Sequence, residues 1–120
     1  MLKMIVIEDE SFERSSIINY VDWSIISVEV IGEAANGSQG LSLALDLKPD
    51  IILTDVKMPV MDGIEMARQI RAKLSEVKII FVSSYDDFEY ARQAIDLNIS
   101  AYLMIPLQKT KNKQSSDVKI

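Results

Sequence analysis

Five short apolar runs, separated by longer stretches of helical periodicity, set the tightest limit on how these 120 residues can fold. They are residues 3–7 (KMIVI), 28–31 (VEVI), 51–54 (IILT), 78–82 (KIIFV) and 101–104 (AYLM). Runs this short and rich in β-branched residues read as strands. IILT and KIIFV lack polar alternation, which marks strands covered on both faces, as a parallel sheet requires.

The intervening segments carry helical spacing. Ser11 is placed to cap a helix over roughly residues 12–22, with Phe12, Ile17, Ile18 and Val21 near one face. Asn36-Gly37 signals a turn closing the second strand. Ser38 then caps a helix bearing Leu41, Leu43, Ala44, Leu45 and Leu47, which Pro49 stops. Residues 64–73 form a third helix through Ile64, Ala67 and Ile70. Residues 86–97 form a fourth, with Phe88, Ala91, Ala94 and Ile95 on one side. Strands alternating with helices in this way define an α/β fold with a parallel sheet and crossover helices. A helix after Pro106 would complete the layer, but residues 107–120 offer only Leu107, Val118 and Ile120, so they read as a weak fifth helix or a polar tail. With no repeat or composition break, residues 1–120 read as one domain.

Composition removes several chemistries. Cys and His are both absent, so thiolate sites, disulfides and imidazole acid–base catalysis are excluded, and any metal or phosphoryl chemistry must rest on oxygen ligands, lysines and backbone. No apolar run approaches the ~18 residues of a membrane span, and the four apolar residues before Glu8 are too few for a signal peptide, so a cytoplasmic location is expected. Thirteen basic against eighteen acidic residues give a net charge of −5. From residue 109 onward four Lys and one Asp give +3, leaving −8 on residues 1–108. A body this acidic is unsuited to binding nucleic acid directly.

In open α/β sheets, sites form beyond the carboxyl ends of the strands. Here the first strand ends in Glu8-Asp9-Glu10, the third in Asp55, the fourth in Ser83-Ser84 and the fifth in Ile105-Pro106. Two strands thus aim acids at one edge, and another supplies hydroxyls. Grouped carboxylates raise one another's pKa, and a hard divalent cation such as Mg2+ resolves the repulsion through oxygen ligands. Such a metal also favours phosphoryl transfer to a carboxylate, and Ser83 could donate to a phosphoryl oxygen. Glu10 is better suited to the first turn of the following helix. Met58, Met61, Met66 and Met104 read as gap-filling apolar residues, and Trp23 as packing at the edge of the first helix.

VIEDE (6–10), DVKMPVMDG (55–63), VSSYDDFEYA (82–91) and AYLMIP (101–106) together resemble the receiver domain of two-component response regulators, over about residues 3–106 and in the family's own order. The YDDFEYA stretch is most similar to receivers that precede an AraC-type DNA-binding domain. The resemblance implies a flavodoxin-like fold, with a five-stranded parallel sheet in the order 2-1-3-4-5 and helices on both faces. It further implies that Asp55 accepts the phosphoryl group, Asp9 contacts Mg2+ directly and Glu8 through water, and the Lys57 backbone carbonyl is a third protein ligand. Ser83 would be the switch hydroxyl and Tyr102 the aromatic that changes rotamer with it. The implied partners are a sensor histidine kinase, a second copy in a homodimer, and DNA only through a separate output domain. Activity would amount at most to self-catalysed phosphotransfer and autodephosphorylation.

Two positions depart from the family. Where it carries a lysine just before the proline after strand five, this chain has Ile105, which supplies neither charge nor donor. Where the family has an amphipathic last helix, this chain has the polar residues after Leu107. Ile105 favours an alternative, a pseudo-receiver that keeps the fold without coupling phosphorylation to output. A magnesium phosphatase would want a second Asp two residues after the nucleophile, and Lys57 stands there. A nucleotide binder would want a glycine-rich phosphate loop, and neither GxGxxG nor GxxxxGK[ST] occurs.

Overall fold

β1 (Leu2–Ile7) runs through the interior of the sheet, with Ile5 and Ile7 packed on one side and Met4 and Val6 on the other, all fully buried. The structure, a computed structural model, describes residues 1–83 and 100–104, with backbone alone at Ser83 and at 102–104. After β1 come α1 (Ser11–Tyr20), a 3-10 turn (Trp23–Ile26), β2 (Val28–Ala34), α2 (Gly37–Leu47), β3 (Ile51–Thr54), α3 (Gly63–Lys73), β4 (Lys78–Ser83) and β5 (Ala101–Met104). The strands lie in the order β2-β1-β3-β4-β5, and every pairing is parallel. This is the flavodoxin-like arrangement and strand order expected from the sequence. The expected helix over 86–97, Ser84, Ile105, Pro106 and the segment 107–120 lie outside the described residues.

The two sheet faces hold separate cores. Ile5, Ile7, Ile52, Ile79 and Phe81 pack under α2 and α3, through Ala44, Ile64, Met66, Ala67 and Ile70. Met4, Val6, Val28 and Leu53 pack under α1 and the 3-10 turn, through Ile17, Ile18 and Trp23. Met58 and Met66 are buried and Met61 packs against the core, so these three fill gaps as expected; the side chain of Met104 lies outside the described set.

Four local expectations need correction. β2 continues past Ile31 to Ala34 because it is an edge strand and tolerates Gly32 and Glu33; its register with β1 shifts between Met4 and Ile5, where Met4 pairs Val30 and Ile5 pairs Gly32. α1 spans Ser11–Tyr20 with Glu10, not Ser11, in the cap position and no side-chain cap bond. Val21 is beyond its end, and Phe12 is 80% exposed. Five residues separate Phe12 from Ile17, which is about 140° around an α-helix, so the two cannot share an inner face. α2 begins at Gly37 and is capped by Asn36, whose Oδ1 accepts from the Gln39 N–H at 2.9 Å, so Asn36-Gly37 opens the helix and Ser38 is inside it.

The inner face of α2 is led by small residues, with Leu41 and Leu43 packed against the core beside them. Gly37, Gly40 and Ala44 are its buried residues, and a Cβ at Gly40 would stand 2.6 Å from Ile7 Cδ1 and 2.7 Å from Met66 Sδ. Small residues let α2 approach β1 and α3 closely, while Leu47 is left exposed. Lys48, in the left-handed region at φ 48°, ends the helix before Pro49, its N–H donating to the Ala44 carbonyl at 2.8 Å. Trp23 packs at the edge of α1 as expected, and its Nε1 donates to the Ile17 carbonyl at 3.0 Å.

Candidate phosphoryl-acceptor and metal site

Parallel pairing of β1 with β3 brings their carboxyl ends side by side, Ile7 opposite Thr54. The Asp55 N–H donates to the Ile7 carbonyl at 3.0 Å, extending that ladder by one bond and delivering Asp55 beside the residues that follow β1. Carboxylate oxygens of Glu8, Asp9 and Asp55 consequently lie within 4.8 Å of one another. Glu8 is buried at 6% exposure, while Asp9 and Asp55 are half-buried.

Each main-chain group around Glu8 is engaged. Its N–H donates to the Ala34 carbonyl at 3.0 Å, and its carbonyl accepts from Arg14 Nη1 at 2.7 Å. Its Oε2 accepts from the Glu10 N–H at 3.0 Å, so Glu10 serves the start of α1 through its backbone. Burial pushes the Glu8 carboxyl up to about 8, helped by the charge of Asp55 and, less, by Glu13 and Asp9; the Glu10 N–H works in the opposite direction. Burial is the larger cause, and the neighbouring acids add to it.

The DVKMPVMDG loop is shaped residue by residue. Val56 and Met58 are buried, and the Val56 N–H donates to Asp55 Oδ1 at 2.7 Å, fixing the carboxylate's rotation. Lys57, two residues past Asp55, has an exposed side chain. Asp62 caps α3, accepting from the Glu65 N–H at 2.8 Å. Gly63 donates to the Val56 carbonyl at 2.6 Å, closing the loop. From the opposite side, the Gly37 N–H donates to the Met61 carbonyl at 2.8 Å, and a Cβ at Gly37 would stand 2.2 Å from that oxygen. Only glycine permits this approach between α2 and the loop.

Ser83 ends β4, paired with Met104, and Tyr102 pairs with Phe81 on β5, so both backbones belong to the strands that follow β3 across the sheet. Their side chains, and Ile105, lie outside the described residues. Two groups that sequence pattern alone does not single out belong to the surroundings of the site. One is Arg14, which spans from Glu8 to Glu33; the other is Gly37 against Met61. The Asn36-Gly37 pair is visible in the sequence, but its partner is 24 residues away and only the fold reveals it.

Three hard carboxylate ligands of this kind suit magnesium by donor chemistry, since Mg2+ takes oxygen ligands and retains waters for the remaining positions. The meeting of three carboxylates within 4.8 Å is the observation that fits such a cation.

The family model of the response regulator receiver domain matches residues 4–115. The chain is 38% identical to the transcriptional regulatory protein LiaR of Bacillus subtilis over 104 residues, 87% of this chain and 49% of that protein. It is 32% identical to the uncharacterized transcriptional regulatory protein YesN of the same organism, over 88% of this chain and 29% of that protein. Among solved structures, it resembles the REC domain of AraT, a response regulator from Geobacillus stearothermophilus, with a TM-score of 0.81 and 36% identity over 86% of this chain and 80% of that one. It also resembles a two-component transcriptional regulator AraC from Clostridium phytofermentans, with a TM-score of 0.80 and 33% identity over 90% and 84% of the two chains. The chain belongs to the receiver domain family of two-component response regulators. It spans 29–54% of the length of the curated relatives it matches. Among the described residues, no helix is long and apolar enough to cross a membrane.

Proposed function

We propose that this receiver accepts a phosphoryl group on Asp55 from a sensor histidine kinase, in a reaction that requires Mg2+, and passes the change to a separate output domain that regulates transcription. The observation that carries this reading is the meeting of Glu8, Asp9 and Asp55 oxygens within 4.8 Å at the carboxyl edge of the sheet. Asp9 would ligate the metal directly, Glu8 through water, and Asp55 and the Lys57 backbone carbonyl would complete the protein's share. When bound, magnesium supplies charge neutralisation for a phosphoryl group approaching this acidic edge.

A carboxylate oxygen of Asp55 attacks the phosphorus of the donor. The new O–P bond forms as the donor's N–P bond breaks, and the bonding pair leaves with the imidazole. The hydrogen bond from the Val56 N–H to Oδ1 holds the carboxylate in one orientation for this attack. Ser83 and Tyr102 would then respond, as the hydroxyl and aromatic of the switch. Contact with DNA belongs to the output domain, and a homodimer is the natural assembly for such a regulator.

Ile105 supports a second reading, in which the chain is an interaction module whose phosphorylation is uncoupled from output. Labelled acyl phosphate, offered with magnesium and with a chelator, tests the first reading. Uptake that proceeds equally in chelator would remove the metal's part in it, and no uptake in either would favour the second.

A further inference from the structure

We propose that Arg14 is a positioning residue for the acid pair: anchored on Glu33 of β2, its guanidinium holds the peptide joining Glu8 to Asp9 and so sets the aim of both carboxylates. The inference rests on the reading of Glu8 and Asp9 as magnesium ligands.

The ladder between β1 and β2 reaches Ile7 opposite Ala34, and its last bond runs from the Glu8 N–H to the Ala34 carbonyl at 3.0 Å. Beyond Ala34 the chain leads into α2, which starts at Gly37. Arg14 takes over where the ladder stops. Its Nη1 donates to the Glu8 carbonyl at 2.7 Å and its Nε to Glu33 Oε1 at 2.8 Å. Glu33 sits opposite Val6 in register, two residues short of Glu8, so the guanidinium fork extends the grip of β2 by side-chain means. The bonded carbonyl belongs to the Glu8–Asp9 peptide, and its direction therefore fixes the main chain from which both carboxylates depart.

A guanidinium is suited to this because its donors are rigidly disposed and can serve two acceptors at once. The Arg14–Glu33 ion pair is itself a modest source of stability, since Glu33 is more than half exposed. Its value is geometric. α1 buries no residue fully and packs through Ile17 and Ile18 in its second half, so at its start the Arg14 contact holds the main chain that leaves β1.

Coulomb's law and positioning predict opposite signs. Removing a cation near a metal site strengthens binding of a second cation, whereas releasing the ligands' main chain weakens it. Magnesium chloride titrated into the protein, with affinity read from backbone amide shifts by NMR, separates the two. Arg14→Ala is expected to weaken binding at least threefold. Arg14→Lys keeps the charge but not the fork, and is expected to weaken it about twofold; it also serves if Arg14→Ala fails to fold. Arg68→Ala, which removes a surface cation paired with Glu65 along α3, should leave affinity unchanged. A purely structural staple would lower the melting temperature and leave the affinity of the folded protein alone. Affinity equal to or tighter than wild type in a folded Arg14 variant overturns the proposal. Failure of the wild type itself to bind would instead overturn the magnesium reading, and this inference with it.

Discussion

Gly63 lies so close to the main chain of Asp55 that a Cβ built on it would stand 2.2 Å from the Asp55 carbonyl oxygen. The Gly63 N–H also donates to the Val56 carbonyl, so the first turn of α3 and the two residues after β3 are locked together. Gly63→Ala must displace backbone, a form of overpacking that costs about 2–3 kcal/mol. Chemical denaturation should show that loss, and magnesium affinity should fall with it because Asp55 is moved. A variant as stable as wild type would show that the loop yields without cost.

Val60 occupies the left-handed region at φ 71° and is 80% exposed. A β-branched residue held there is strained by roughly 1–2 kcal/mol, and little packing is lost on replacing it. Val60→Asn is expected to raise stability by about 1 kcal/mol, since Asn tolerates this conformation. A lower denaturation midpoint would contradict this.

Glu8, raised from 4.5 to about 8, gives a pH dependence of definite sign. Between those values the folded state keeps a proton that the unfolded chain has released. Stability in chelator should therefore fall as pH climbs from about 5 to 8, and level off above. Glu8→Gln, which imitates the protonated acid, removes this dependence. The difference in stability between wild type and Glu8→Gln should shift in favour of the variant by on the order of 2–4 kcal/mol across that range, allowing for partial screening by water at roughly 1.4 kcal/mol per unit. Parallel curves for the two proteins would contradict it.

On the proposed reading magnesium would bind the native cluster and not the unfolded chain, so millimolar magnesium should raise the melting temperature by on the order of 5 °C. Ile105→Lys restores the family's lysine, whose cation would already offset the carboxylate repulsion, and should diminish the shift. An equal or larger shift in the variant would be evidence against that compensation.

What could be read in the sequence and what could not divide along physical lines. β3 is legible to the residue because a four-residue apolar run bounded by Asp50 and Asp55 leaves no other placement. β2 is legible only to Ile31, since an edge strand can continue through Gly32 and Glu33 where apolarity ends. The faces of α1 and α2 were obscured by residue size: Phe12 and Leu47 suggest an inner face, yet α2 packs through Gly40 and Ala44, and α1 leans on Ile17 and Ile18. Asp55 and the acid pair stand out because strand ends are where such folds build sites. Arg14 does not stand out, because its contacts with Glu8 and Glu33 depend on a register that no local pattern encodes.

The most direct test of the phospho-acceptor role is intact mass after incubation with an acyl-phosphate donor and magnesium. Wild type should gain one phosphoryl group and Asp55→Asn none. An unchanged wild-type mass, or the same gain in Asp55→Asn, would contradict the assignment of Asp55 as the acceptor.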